Sequence, residues 1–427
     1  MIASDEENLV LVESTARVDS INKTFYEKFQ YPWAPLYFDC PIDPDFETVM
    51  LNQSIGGWGQ SVIPQEPRIW VAGCGTNQAI FTALRFPRAS VLGSDLSSTS
   101  LQAAADNARQ LGISNLQLRE ESINEVSYHE EFDYVISTGV IHHNADPAVP
   151  IRKLAAALTP AGVLEIMVYN RYHRILTTAF QKAIRIFSSV TSGINFEMER
   201  EITKRILNGW QAKNLMGGFL ESCKLLPESG LADALLQPVE HSYTIDSFDS
   251  LAAAANLELL APCTSQYEKI NQYPFWSMEF GDPVVQTHYD SLPDLNRWQI
   301  TNLLMLEQSP MIWFHLQRTD SGRQRKSERE LCDEFLDLRF KKNTTQKKVY
   351  NIDENSNYKL NPRFIPYPSP HHDEMCRQVM RGIKDHPSKR MREVLRQVGI
   401  ETNFSLVNKI RLYLTTNAYP YLRAAQD

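Results

Sequence analysis

The chain reads as an α/β protein organised around a mostly parallel sheet, and three observations carry that reading. From Arg68 onward, short apolar runs alternate with stretches of helical periodicity, the pattern of successive βαβ units. The run Ile69-Trp-Val-Ala72 passes directly into Gly73-Cys-Gly75 before the next helical stretch, a strand–turn–helix signature. Twenty residues after Gly75, the next apolar run ends in an acid, Asp95.

In order along the chain, residues 1–65 predict a helix over Val18–Phe29 and then the Pro- and aromatic-rich segment Tyr31-Pro-Trp-Ala-Pro-Leu-Tyr-Phe38. Strands are expected at Ile69–Ala72, Ser90–Ser94, Leu116–Arg119, Tyr134–Ser137 and Val163–Tyr169, with helices such as Ser100–Leu111 and Ile151–Leu158 between them. Gly112 and the turn Thr159-Pro-Ala-Gly162 supply ordinary stop signals for two of those helices. Residues 171–240 turn helical (Ile175–Phe187, Glu197–Leu207, Leu215–Leu225) and read as an insertion before the last two strands. A further αβ unit at Ile245–Cys263, an aromatic loop at 267–289 and the apolar run Met311–Leu316 follow. Polar residues 319–330 have the composition of a linker or exposed helix start, and amphipathic helices are expected near His371–Lys384, Arg390–Val398 and Phe404–Leu414. Three units result: an N-terminal helical and aromatic lid (1–65), an α/β domain (66–320) and a basic accessory domain (321–427).

Composition narrows the function. A length of 427 residues with 43% hydrophobic and 22% charged residues excludes fibrous and largely disordered classes. Six scattered cysteines without a CxxC pair argue against a disulfide scaffold or a metal centre. No apolar run approaches the ~20 residues that span a bilayer, and the acidic N-terminus lacks the features of a secretory signal, so a cytoplasmic location without membrane association is expected. The net charge of −8 divides into +8 for residues 321–427 (21 Lys and Arg, 13 Asp and Glu) and −16 for the remainder. A basic unit thus hangs on an acidic body.

Glycines after the first strand let the backbone turn sharply and approach a ligand, and the following helix start offers free N–H groups. A carboxylate at the position of Asp95 can accept both hydroxyls of a ribose. Ser122 and Ile123 after the third strand offer a small polar group and an aliphatic wall to an adenine, and Phe132-Asp-Tyr-Val-Ile-Ser-Thr-Gly-Val-Ile-His-His-Asn-Ala-Asp-Pro147 closes the fourth strand. Both lie at carboxyl ends of strands, where open α/β sheets bind ligands.

Through AGCGTNQA, Asp95, FDYVISTGVIHHNADP and LTPAGVLEIMVYN, residues 66–170 resemble the class I S-adenosylmethionine-dependent methyltransferases. The resemblance implies a Rossmann-like seven-stranded sheet and S-adenosyl-L-methionine as methyl donor. It implies that Gly73, Cys74, Gly75 and Asn77 line the methionine and ribose portion, Asp95 and Leu96 the ribose, Ser122 and Ile123 the adenine, and Thr138, Gly139 and Val140 up to His142 the sulfonium side. The chain departs from the family at Val71, where an acid is usual, and at Asn77, where a third glycine is usual. Asn tolerates left-handed backbone angles, so the turn survives, while Asp39, Glu27 or a backbone carbonyl would take the amino-group contact. Tyr31-Pro-Trp33, Pro238–Ile245 and Trp298–Phe314 more weakly resemble a bacterial subgroup often fused to tetratricopeptide repeats, of which this chain carries none.

Methyl transfer is an in-line displacement at a sulfonium carbon, so alignment and water exclusion dominate, with a base for acceptors of high pKa. Base candidates are His142 and His143 after the fourth strand, His173 after the fifth and His241 in Glu240-His-Ser-Tyr243. Tyr26, Tyr31 and Trp33 are expected to cover donor and acceptor, with Tyr169, Tyr273 and Trp276 shaping the acceptor pocket. The expected acceptor is a small molecule methylated on oxygen or nitrogen, with nucleic acid not expected as a partner and the amphipathic C-terminal helices compatible with a homodimer. Two alternatives stand beside it: a protein or RNA acceptor docked by residues 321–427, and a non-catalytic nucleoside-binding scaffold.

Overall fold

Alternation within the apolar runs assigns side chains to the two faces of one sheet. In the computed structural model, which describes residues 15–188, 195–264, 275–366, 373–416 and 420–425, Trp70 and Ala72 point into one core while Ile69 and Val71 point into another. The first strands and helices are α1 (Thr15–Lys28), β1 (Tyr37–Pro41), α2 (Phe46–Ser54), β2 (Arg68–Ala72), α3 (Gln78–Arg85), β3 (Ser90–Asp95), α4 (Ser98–Gln110), β4 (Leu116–Glu120) and β5 (Phe132–Thr138). Then come α5 (Ala148–Ala157), β6 (Leu158–Val168), α6 (Ile175–Ser188), α7 (Phe196–Gly209), α8 (Leu215–Cys223), α9 (Glu228–Leu235), α10 (Ile245–Ala253), β7 (Leu257–Pro262) and β8 (Ile312–Arg318).

The central sheet has seven strands in the order β4-β3-β2-β5-β6-β8-β7. β2, β3, β4, β5 and β6 run parallel, with Val71 opposite both Gly93 and Ile136 and with Thr138 opposite Met167. β8 enters antiparallel between β6 and β7. The strand order reverses between β2 and β5, so the carboxyl ends of β2, β3, β5 and β6 open one crevice.

Helices α6–α9 follow β6, and α1 completes their core. The positions Val18, Asn22, Phe25 and Phe29 recur at helical spacing on one buried face of α1. Phe25 and Phe29 pack with Phe180, Ile184, Leu207, Leu220 and Leu235 of the insertion. One apolar cluster thereby ties the first helix to α6–α9 above the crevice.

The first and third of the expected units are joined. β1 pairs antiparallel with Gln346–Ile352, which also pairs with Tyr358–Leu360 and Ile365–Pro366. Leu422–Ala424 pairs with Phe340–Lys342, and the helices Glu328–Asp337, Glu374–Asp385, Met391–Gln397 and Phe404–Thr415 share a core around Phe335, Val379, Leu395 and Ile410.

Several local expectations need correcting. Residues 159–162 belong to β6 rather than to a separate turn, and a register irregularity between Phe132 and Tyr134 absorbs them. Residues 319–330 are no free linker but lead into a helix start, the other expected reading: Ser327 caps the helix that begins at Glu328, Arg325 donates to Leu259 O and Asp294, and Glu328, buried rather than exposed, accepts from Arg297 at 2.8 Å. The charge of the C-terminal region is extensively spent in ion pairs, among them Lys347–Asp39, Lys326–Glu334, Arg381–Glu374 and Lys409–Glu279. β1 and the strands between 340 and 366 escaped the sequence reading because each is either short, as Tyr37–Pro41 and Phe340–Lys342 are, or rich in polar residues, as Gln346–Ile352 is.

Candidate active site

The turn after β2 is shaped by its glycines. Gly73 and Gly75 have φ of +72° and +52°, the left-handed region that favours glycine. A Cβ on Gly75 would lie 2.7 Å from Tyr31 O, and one on Gly73 would collide with the Val140 side chain. The aromatic segment Tyr31-Pro-Trp33 is strapped onto this turn: Asn77 Nδ2 donates to Trp33 O at 2.9 Å, and Thr76 Oγ1 donates to Pro32 O. Asn77 has φ −134°, so its value here, just before α3, is as the strap's anchor and not as a left-handed residue.

Asp95 closes β3 beside that turn. Its Oδ2 accepts from Gly75 N at 2.8 Å and its Oδ1 from Ser97 N at 2.9 Å. Burial pushes the carboxyl above its ordinary range, and the N–H donors of Ser97, Gly75 and Leu96 pull it back. An ionised carboxylate has about four acceptor positions, more than these N–H groups occupy, so Asp95 keeps capacity for a further hydroxyl.

These residues line a rim cavity of about 570 Å³ at the carboxyl ends of the strands. Of the expected donor-contacting residues, Gly73, Cys74, Gly75, Asn77, Asp95, Leu96, Ile123, Thr138, Gly139 and Val140 border it. Ser122 does not: it is buried, and its hydroxyl donates to Asp19 of α1. Asp19 also accepts from Asn124 Nδ2 at 3.0 Å, and Asn22 Nδ2 donates to His143 O at 2.7 Å. Polar staples of this kind fix α1 over the loops after β4 and β5.

Of the expected acceptor residues, Tyr26, Tyr31, Trp33 and Tyr169 border the cavity. Trp276 is 1% exposed in the core, its ring 5.7 Å from Phe314, and Tyr273 lies outside the described residues. Neither Asp39 nor Glu27 borders the cavity: Asp39 binds Arg85 and Lys347, and Glu27 is exposed on α1 beside Lys23.

The four histidines separate by position. His143 borders the cavity, with Nδ1 2.8 Å from Val239 O. Burial pushes it down to about 4, leaving it neutral and weakly basic at pH 7. His142 is fully buried behind it, with its ring centroid 3.9 Å from that of Tyr169, and burial holds it well below the usual histidine range. His173 Nε2 faces Ser309 O at 2.8 Å and His241 Nε2 faces Asn144 O at 3.1 Å, and neither ring borders the cavity. Their chemistry is committed to joining loops.

The group that sequence reasoning missed is Asp233 of α9. It is 8% exposed and borders the cavity together with Tyr26, Tyr31 and Tyr169. Burial raises its carboxyl to about 6, against the pull of the Arg174 guanidinium and the hydroxyls of Tyr169 and Tyr26. Arg174 lies over the Tyr169 ring at 4.2 Å and donates to Glu240 at 2.8 Å. Tyr169 is thus held between His142 and Arg174 with its phenol toward Asp233. The available signal was a lone acid inside the apolar run Leu231-Ala-Asp-Ala-Leu-Leu236.

Comparisons with known proteins agree with this geometry. A family model described as "Methyltransferase domain" matches residues 72–206. An uncharacterized protein of Synechococcus sp. is 26% identical over 68% of this chain and 70% of its own length. A ubiquinone biosynthesis O-methyltransferase of Paracidovorax citrulli is 26% identical over 42% of this chain and 74% of its own. In fold, the chain is similar to the structure of PKMT2 from Rickettsia typhi in complex with AdoHcy, with TM-score 0.56, 14% identity, and coverage of 92% of this chain and 77% of that one. Sheet order, glycine turn, acid at the end of β3 and the family match over residues 72–206 together identify a methyltransferase domain of the class I, S-adenosylmethionine-dependent kind within the chain.

Proposed function

We propose that the rim cavity methylates a small molecule on oxygen or nitrogen and that Asp233 receives the acceptor's proton. The observation that carries this reading is a buried carboxyl raised to about 6 among three phenols, in the same cavity as the glycine turn and Asp95. S-adenosylmethionine supplies an electrophilic methyl group when bound. Gly73, Gly75 and Asp95 would hold it, since the turn admits close approach and Asp95 keeps acceptor capacity.

The remaining work falls to the chain's own groups. Tyr31 and Trp33, strapped to Thr76 and Asn77, cover the turn and keep water from the sulfonium side. Asp233, ionised above pH 6, is a stronger proton acceptor than His143 at about 4, so a hydroxyl or ammonium acceptor would lose its proton to Asp233. Tyr26 and Tyr169 hold that carboxylate in place.

A volume of about 570 Å³ suits a donor with a small acceptor, within the roughly 300–1,000 Å³ usual for small-molecule sites. The relative named as a ubiquinone biosynthesis O-methyltransferase supports oxygen as the methylated atom. Lys347 and Lys409 of the basic region are held by Asp39 and Glu279 of the rest of the chain, so part of its charge is committed to joining the two regions. Incubation with methyl-labelled donor and fractionated extract tests the reading: label is expected in the small-molecule fraction, and label confined to protein or RNA would overturn it.

A further inference from the structure

A second cavity of about 370 Å³ lies away from the strand ends, against the sheet face that carries Tyr134, Ile136, Glu165 and His315. It is roofed by segments distant in sequence: α2, α3 and the helix Phe404–Thr415. We propose that this face cavity is a binding site for a small organic ammonium ion, with Glu47 as its counter-charge.

Around this cavity the protein satisfies some polar groups and leaves others unspent. Asp39 is satisfied by Arg85 and Lys347, and Gln53 by Thr415 O and Leu422 O. Glu165 accepts from Tyr134 Oη and from Trp313 Nε1 at 3.0 Å. Glu47, 3% exposed at the start of α2, borders the cavity and accepts no hydrogen bond from the described residues. His315, also 3% exposed, has its Nδ1 3.4 Å from Cys263 Sγ, while its Nε2 has no hydrogen-bond partner and stands 3.8 Å from Glu165. A buried carboxyl without a partner is costly, and native structures seldom keep one without something to meet it.

The unspent groups indicate the ligand class. A carboxyl and a neutral imidazole nitrogen both suit a donor, and a cation adds a direct ion pair, which Glu47 makes with none of the described residues although Arg85 acts on it from further away. Phe81, Phe86, Tyr134 and Trp313 also border the space and give ring faces and edges to the carbon skeleton of an amine. Burial raises Glu47 to about 7; the groups that face it are Asp39 of β1 and Glu165 of β6, which raise it, and Arg85 of α3, which lowers it. His315 of β8 is pushed down to about 4 and adds no charge at neutral pH. An arriving ammonium ion would favour ionised Glu47 and so expel its proton.

The site is coupled to the rim by contact. Gln78 and Phe81 border both cavities, and Gln78 Nε2 donates to Thr138 Oγ1 at 2.7 Å at the end of β5. Occupation of the face cavity presses on the first turn of α3, the helix that follows the glycine turn.

Calorimetric titration of the full chain with ethylamine, putrescine and phenethylamine tests the proposal. At least one probe is expected to bind saturably, with binding weakened tenfold or more by Glu47→Gln and unchanged by Asp95→Ala, which separates this site from the rim. In wild-type protein, binding at pH 6 is expected to release close to one proton, read from enthalpies in buffers of different ionisation heat, and to release little at pH 8. This measurement needs no variant. Failure of all three probes to bind, binding that Asp95→Ala abolishes, or binding at pH 6 without proton release would each overturn it.

Discussion

The rim cavity and the face cavity are built in opposite ways. The rim cavity draws Gly73, Gly75 and Asp95 from one continuous βαβ stretch, while the face cavity draws Asp39 and Glu47 from one end of the chain, Arg411 and Thr415 from the other, and Glu165 and His315 from the middle. Local sequence determines the donor side of the first, because a glycine turn and a strand-end acid are properties of a few adjacent residues, while its acceptor side, with Tyr26 and Asp233, is assembled by packing. Tertiary packing determines the second. The same contrast sets their electrostatics: Asp95 is compensated by neighbouring backbone N–H groups, whereas Glu47 has no such donors.

The largest effect expected from breaking the comparison is at Asp233. Asp233→Asn should lower kcat/KM by about 10²–10⁴-fold, the range for a general base, with donor affinity nearly unchanged. Wild-type rate should rise with pH through about 6, as Asp233 ionises, and the variant should lose that limb. A rate profile indifferent to this substitution would assign the proton elsewhere.

Glu47→Gln sharpens the contrast on the stability side. The folded carboxyl titrates at about 7 against an ordinary 4.5, so the stability linked to it is present below about pH 4.5 and lost as pH rises through 7. At about 1.4 kcal/mol per unit, the variant should gain up to about 3 kcal/mol over wild type at pH 8 and progressively less toward pH 5, read by denaturant unfolding. Equal stability of the two proteins at pH 8 would mean that Glu47 is compensated.

Smaller effects are expected at the loop histidines. His173→Gln and His241→Gln should each cost about 1 kcal/mol of stability through lost backbone contacts while leaving kcat/KM near wild type. Asn77→Ala should loosen the strap at Trp33 by a similar ~1 kcal/mol and weaken donor binding a few-fold. Both follow from thermal shifts and initial rates.

These expectations also mark what could be read from the chain before its structure. Ile69–Gly75, Asp95 and Phe132–Val140 were legible because strand period, turn chemistry and spacing are local. The histidines misled because residue type alone does not reveal what surrounds a ring: three of four face away from the cavity or lie behind it. Asp233 was obscured because its role depends on α9 packing beside Tyr26 and Phe25 of α1, some two hundred residues earlier. Glu47 gave no signal, since an acid in the first turn of a helix is ordinary.

Everything at the rim requires that the crevice between β2 and β5 holds the donor's sugar on Asp95. Titration of S-adenosylhomocysteine into wild-type and Asp95→Ala protein measures this directly. One site per chain in the wild type and a loss of about 2 kcal/mol or more, roughly thirtyfold, in the variant are expected. Equal affinity in the two proteins, or no binding to folded wild type, would contradict it.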